Sequence, residues 1–306
     1  MSVRELVLLG TASQVPTRER NQNGYLLRWD GQGVLFDPGE GTQRQLTRAG
    51  VSAASITRIC ITHFHGDHCL GLPGIVQRLS LDGVSHPVEV FFPASGVPYF
   101  ERLVGAAIYQ HRVDLRPRPL EGGETVDLGD LRLACRPLDH RVDTLGWRLE
   151  EPEGRTMLAD RLREVGVSGA EVGRLKRAGS IEVKGRRVRV EEVSAPRPGQ
   201  RFAFVMDTGL CAAAVDLARN ADLLLCEATF LSEDADLATE YKHMTATDAA
   251  RLARDAGVRR LILTHFSQRY ANTERFGQEA REIFDHVIVG EDLLRVAVPP
   301  RVSSRP

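Results

Sequence analysis

The sequence predicts an α/β layered domain, and three observations carry that prediction. Short apolar runs recur along most of the 306 residues, helix-period segments lie between them, and metal-ligand-type polar residues fall just past the ends of several runs. Hydrophobic residues make up 42% and charged residues 26% of the chain, enough for a sizeable core. That composition excludes a disordered chain, a collagen-like chain and a coiled coil.

The elements follow in order. The run at 6–9 is short and preceded by Arg4 and Glu5, so it reads as a first strand and not as a signal peptide. Further strands are expected at 25–28, 34–36, 59–62, 88–91, 131–136 and 144–149, with helices at 41–49, 72–81 and 97–107. The alternation resumes with strands at 201–206, 222–226, 261–264 and 293–298, and with helices at 211–218, 247–256 and 273–285. Thr245 with Asp248 reads as an N-cap pair opening the helix at 247–256. No stretch has the apolar length needed to cross a bilayer. The five cysteines are scattered, form no CxxC pair and mostly have apolar or small neighbours. Buried free thiols and a reducing, cytoplasmic home are expected.

One segment breaks the pattern. Between 161 and 201 the apolar periodicity weakens, and eleven Lys and Arg face five acids. The whole chain has a formal charge of −1, which argues against a nucleic-acid ligand when taken as a total. Divided by segment, it is +6 on this insertion and −7 on the remainder. A solvated surface insertion and a protruding basic arm that grips a polyanion both fit, and the asymmetry favours the arm.

The strongest chemical signal is Thr62-His63-Phe64-His65-Gly66-Asp67-His68, directly after an apolar run. Crowding four ligand-type side chains at a strand end would be costly without a partner, and a cation removes that cost. Imidazole and carboxylate at roughly 2.0–2.2 Å are what Zn²⁺ takes. His63 and His65, two apart on an extended segment, can share one ion, and Asp67 and His68 past Gly66 are placed for a second. His140, Asp207 and His265 each follow an apolar run on the rim where α/β sites collect, and they read as further ligands.

H-F-H-G-D-H with His140, Asp207 and His265 downstream resembles the metallo-β-lactamase superfamily. The stretches at 9–21, 36–43, 62–74, 227–230, 243–246 and 263–270 extend the resemblance over the whole chain. With the loop at 16–21, His243 and the basic insertion, they narrow it to the ribonuclease Z family. The resemblance implies an αββα four-layer sandwich in a single domain over 1–306, with a protruding basic arm at 161–201 serving as a tRNA-binding exosite. It implies two Zn²⁺ per subunit, one on His63, His65 and His140, the other on Asp67, His68 and His265, with Asp207 bridging. A metal-bound hydroxide then attacks the phosphodiester, Asp67 accepts its proton, and the 3′ trailer of precursor tRNA leaves with a 3′-hydroxyl on the tRNA side. His243, partnered by Glu227, is expected to serve the leaving oxygen.

For RNA contacts the resemblance points to the loop residues Arg18, Arg20 and Asn21. In the basic segment the candidates are Arg174, Lys176, Arg177, Lys184, Arg186 and Arg187. A homodimer is expected by the same resemblance, with no membrane or DNA partner. Two competing readings stand beside it. One is a zinc hydrolase of small esters or cyclic phosphodiesters on the same fold. The other is a catalytically silent RNA-binding module, against which the full set of seven ligands argues. The arm also departs from the family pattern, since the stretch at 166–175 lacks the proline of the usual Gly-Pro motif.

Overall fold

The computed structural model describes residues 3–300. They form two compact units, one built from the chain up to Leu149 together with Arg201–Pro299, the other from Glu150–Gln200.

The larger unit contains two seven-stranded sheets. In the first, the order is Arg295–Ala297, Arg4–Gly10, Gly24–Trp29, Gln32–Phe36, Ile56–Cys60, Val88–Pro93 and Leu115–Leu120. In the second it is Val287–Val289, Leu261–Thr264, Leu223–Glu227, Arg201–Val205, Leu145–Glu150, Arg132–Pro137 and Thr125–Asp127. Five strands that bear site residues at their ends pair in parallel: Gln32–Phe36 with Ile56–Cys60, and Arg201–Val205 with Leu223–Glu227 and then Leu261–Thr264. Parallel pairing brings their C-terminal ends to one rim of each sheet.

Period-two alternation explains the layering. Leu6 and Leu8 enter the core between the sheets, whereas Val7 and Leu9 face outward onto helices. Likewise Phe202, Phe204, Leu223 and Leu225 point inward, and Ala203, Val205, Leu224 and Cys226 point outward. Both faces are buried, so these strands read as continuous apolar runs. The outer face of the first sheet is covered by Thr42–Arg48, Leu72–Leu81 and Val97–Val104 through Leu46, Leu72, Ile75, Leu79 and Phe100. Ala212–Ala218, Ala246–Asp255 and Glu274–Arg281 cover the second. The layers therefore run helices, sheet, sheet, helices, the αββα order of a metallo-β-lactamase fold.

Several boundaries shift. The helix expected over 273–285 stops at Arg281, because the Ala280 carbonyl accepts from the amides of Ile283 and Phe284 in a tight turn. That over 97–107 stops at Val104, with Gly105 next. In the larger unit three short strands go unpredicted, Leu115–Leu120, Thr125–Asp127 and Val287–Val289, and the four strands of the smaller unit are unpredicted as well. Leu115–Leu120 is a largely exposed edge strand carrying Pro117 and Pro119, which ladder positions inside a sheet would not accept.

The smaller unit has its own core of Leu162, Val167, Leu175, Val183, Val188, Val190 and Val193. Two helices, Ala159–Val165 and Ala170–Ala178, accompany two antiparallel pairs. Ser180–Val183 and Arg186–Arg189 are joined by Lys184 and Gly185, at φ +48° and +75°, a two-residue loop that needs left-handed backbone at both positions. Arg174, Lys176, Arg177, Lys184, Arg186 and Arg187 are all exposed. Arg186 pairs with Glu192 and Arg174 with Glu171.

Candidate metal centre

Each candidate ligand sits just past the end of a strand, largely buried in every case but the half-exposed Arg132–Pro137. Ile56–Cys60 leads into His63, and His65 caps the single helical turn Gly66–Cys69 that carries Asp67 and His68. His140 follows Arg132–Pro137, Asp207 follows Arg201–Val205, and His265 follows Leu261–Thr264. Asp207 and His265 adopt φ of +47° and +63°, and so does Asp37 at +42° after Gln32–Phe36. Non-glycine residues rarely occupy this region, and such outliers persist where the surroundings fix them.

The candidate ligand atoms converge in two groups, and a third, overlapping set joins His243 to Asp207 and His265. In one, atoms of His63, His65, His140 and Asp207 lie within 4.8 Å of one another, and in the other those of Asp67, His68 and His265 do the same. His65 Nδ1 is 2.9 Å from His63 Nε2 and 3.4 Å from His140 Nε2. Asp207 stands between the groups. Its Oδ2 is 3.7 Å from His63 Nε2, 3.8 Å from His140 Nε2 and 3.3 Å from His68 Nε2, and its Oδ1 is 3.1 Å from His265 Nε2. Asp67 Oδ2 reaches His68 Nε2 at 3.2 Å and His265 Nε2 at 3.5 Å.

Four imidazole edges are fixed from behind. His68 Nδ1 donates to Asp37 Oδ2 at 2.8 Å, His265 Nδ1 contacts Thr229 Oγ1 at 2.8 Å, and His63 Nδ1 contacts Thr62 Oγ1 at 3.0 Å. His140 Nδ1 faces the Lys242 carbonyl at 3.3 Å. Holding Nδ1 in this way sets the tautomer and leaves Nε2 free to ligate. Asp207 Oδ1 and His265 Nε2 are buried without a hydrogen-bond partner. Buried polar atoms left unpaired are expensive, and a cation satisfies both. The donor set of imidazoles and carboxylates thus fits a metal site.

The electrostatics agree. Burial holds the pKa of His63 well below the usual imidazole range, so it keeps a neutral ring and a lone pair. Burial works the same way on His68, but Asp207 and Asp67 overcome it and raise its pKa well above that range. Burial would raise Asp207, yet His265 and His68 hold it well below the usual carboxylate range. Asp67 is likewise lowered against its burial, chiefly by His68. The two carboxylates thus favour positive charge at the centre of the cluster.

His243 and Glu227 stand beside the ligands. Glu227, fully buried at the end of Leu223–Glu227, accepts from His243 Nδ1 at 2.9 Å and from the Thr208 amide at 2.6 Å. It also accepts from Thr229 Oγ1 at 2.6 Å and the Met244 amide at 3.2 Å. Burial lowers the pKa of His243, but Glu227 and then Asp207 more than compensate, lifting it to about 9. Thr245 accepts from the Asp248 amide while Asp248 accepts from the Thr245 amide, which caps Ala246–Asp255 just past His243.

A cavity of about 440 Å³ opens over the cluster, lined by His65, Asp207, His243 and His265 and by Ser13 and Gln14 of the first loop. Of the loop candidates, Arg18 is exposed. Arg20 is turned inward, donating to the Tyr270 carbonyl at 2.8 Å. Asn21 donates from its side chain to the Glu40 carbonyl at 2.8 Å and from its amide to Asp292 at 2.8 Å. These two residues hold the loop in place instead of presenting polar groups to a ligand. Asp37, Thr62 and Thr229 escaped sequence reasoning. The 36–43, 62–74 and 227–230 stretches contain them, but nothing in the sequence says that their side chains point at histidines.

Two family models match the chain, the Metallo-beta-lactamase superfamily over residues 17–155 and the Beta-lactamase superfamily domain over 182–266. The chain is 59% identical to Ribonuclease Z of Nocardia farcinica, over 98% of this chain and 100% of that one. It is 48% identical to Ribonuclease Z of Chlamydia muridarum, over 99% of this chain and 100% of that one. Among solved structures it is similar to the short form of human tRNase Z, with 25% identity, a TM-score of 0.68 and coverage of 97% and 100%. A metallo-beta-lactamase fold protein from Bacillus subtilis matches with a TM-score of 0.71 at 16% identity, covering 97% of this chain and 99% of that one, a likeness of fold alone.

Proposed function

The chain belongs to the ribonuclease Z family of the metallo-beta-lactamase superfamily, and from that membership we propose how its cluster performs the family's reaction. It is a metal-dependent endoribonuclease of tRNA 3′ processing, acting on precursor tRNA. We read the cofactor as two Zn²⁺: His63, His65 and His140 would hold the first, Asp67, His68 and His265 would hold the second, and Asp207, which lies near both sets, would serve both. Bound metal supplies an activated water and positive charge for the phosphodiester.

The protein's own residues do the rest. Asp37, Thr62 and Thr229 orient the ligand imidazoles. Asp67, on the cavity wall, accepts the proton of the attacking water. His243, kept protonated by Glu227, donates to the leaving oxygen, so the tRNA side ends in a 3′-hydroxyl. The exposed cations Arg174, Lys176, Arg177, Lys184, Arg186 and Arg187 bind tRNA phosphates, with Arg18 a further contact near the acceptor end. The working form is a homodimer in the cytoplasm. No helix among the described residues is long and apolar enough to cross a membrane.

The observation that carries this reading is the convergence of seven ligand-type side chains, two of which, Asp207 and His265, bury a polar atom with no hydrogen-bond partner. The test is cleavage of a precursor tRNA with mapping of the product ends. The reading expects one cut at the 3′ side of the tRNA, a 3′-hydroxyl product and abolition by a chelator with recovery on adding zinc. Cleavage that persists with the chelator, or turnover of small esters with no cut in precursor tRNA, contradicts it.

A further inference from the structure

Arg141 directly follows His140 and lines the catalytic cavity. Its guanidinium lies 4.6 Å over the ring of Tyr241 and donates from Nη2 to the Glu240 carbonyl at 2.7 Å. Tyr241 in turn stacks on Phe230, with centroids 6.4 Å apart and planes at 19°. Arg269 lies 5.4 Å over Phe230. One wall of the cavity is thus a stack of two rings with an arginine at each end.

The two arginines differ in charge balance. Arg269 has Asp234 at 3.3 Å, which offsets it. Arg141 has no carboxylate partner among the described residues, and the neighbouring acid Asp139 is taken by Lys242 at 2.7 Å. One N–H of Arg141 is spent on a backbone carbonyl and one face on a ring, so the group is held in orientation with further donors open. Arg141 also borders a second cavity of about 660 Å³, where Glu121 and Asp143 disfavour a phosphate; the acids of the catalytic cavity, Asp67 and Asp207, are instead the ones read as metal ligands. A phosphate meeting Arg141 therefore sits on the catalytic side, beside the metal ligands.

We infer that Arg141, locked over Tyr241, binds a backbone phosphate of the RNA adjacent to the scissile one, fixing the strand's register across the metal centre. This rests on the reading of precursor tRNA as substrate. A guanidinium paired with a phosphate gives a directional, charge-assisted contact and releases a counterion.

The experiment measures steady-state cleavage of precursor tRNA across a salt series by wild type, Arg141→Ala and Arg141→Lys. Substrates carry a neutral methylphosphonate at the phosphate on either side of the scissile one. Arg141→Ala is expected to raise KM roughly tenfold with kcat little changed, and to reduce the salt slope by about 1. Arg141→Lys keeps the slope but recovers only part of the affinity. At one of the two positions, the neutral linkage should cost wild type about as much as Arg141→Ala costs, and cost that variant nothing further. Unchanged KM and slope in Arg141→Ala, or losses that add at both positions, overturn the inference while wild-type cleavage leaves the family reading intact. Wild type that does not cut precursor tRNA overturns both.

Discussion

Replacing Glu227 by glutamine separates the charge of the site from its shape. The carboxylate accepts four hydrogen bonds, from Thr208 N, His243 Nδ1, Thr229 Oγ1 and Met244 N. Glutamine can keep its oxygen toward Thr208 and His243 and turn its amide toward Thr229, whose hydroxyl then accepts. The Met244 amide and the Thr229 hydroxyl hydrogen both lose their acceptor, at a cost of about 1–3 kcal/mol each that does not vary with pH. The loss of charge acts differently. Lifting His243 from the ordinary 6.5 to about 9 corresponds to about 3 kcal/mol in favour of the imidazolium, and Glu227 is the larger of the two carboxylates responsible. If the variant returns His243 to an ordinary pKa, the protonated fraction at about pH 8 falls from roughly nine-tenths to about 3%. The variant should therefore cleave about 30-fold more slowly than wild type at about pH 8, and less than about twofold more slowly at about pH 6. Single-turnover cleavage of precursor tRNA measures this, and the ratio of variant to wild type cancels pH effects common to both. A ratio that stays flat across pH refutes the proton-donor role, because Glu227 would then act only by holding the turn.

Further predictions follow from the same packing. A Cβ on Gly39 would lie 2.2 Å from the Asp67 carbonyl and 2.7 Å from that of Asn23. Gly39→Ala must therefore displace the turn carrying Asp67 and His68, and should weaken metal binding at least tenfold in a competition with a chromophoric chelator. Phe204 is fully buried, stacked 4.7 Å from Phe36 and edge-on 5.5 Å from Tyr25. Phe204→Ala should cost about 3–5 kcal/mol in denaturant unfolding, and a loss under about 1 kcal/mol would contradict this account of the inter-sheet core. Changing Lys176, Arg177, Lys184, Arg186 and Arg187 to glutamine should flatten the salt dependence of precursor-tRNA binding by several units of slope. Turnover of a small phosphodiester should survive, and parallel loss of both activities would assign the segment a structural role.

The inner strands were legible because both of their faces are buried. Phe202 through Val205 form one unbroken apolar run whose alternate residues serve two cores. The candidate metal cluster was legible for a related reason, since most of its residues stand at the ends of apolar runs, where polar residues are conspicuous. Edge elements were not. Leu115–Leu120 carries two prolines and little buried surface, so neither pattern nor propensity marks it. In the Glu150–Gln200 unit each element contributes only one or two of the seven core residues, too few to show a period. Arg20 and Asn21 look like ligand-facing residues in a polar loop. Only the fold shows that the Tyr270 and Glu40 carbonyls engage them. The supporting role of Asp37 depends on a contact with His68 across 31 positions, which no local signal reports.

The most direct test of the central claim is a zinc titration of chelator-stripped protein, with precursor-tRNA cleavage read against equivalents of metal bound per chain. The proposed pair of metal positions with Asp207 between them predicts cleavage that rises to a plateau at two equivalents, with Asp207→Ala failing to reach it. A plateau at one equivalent, or full cleavage with none bound, would contradict the account.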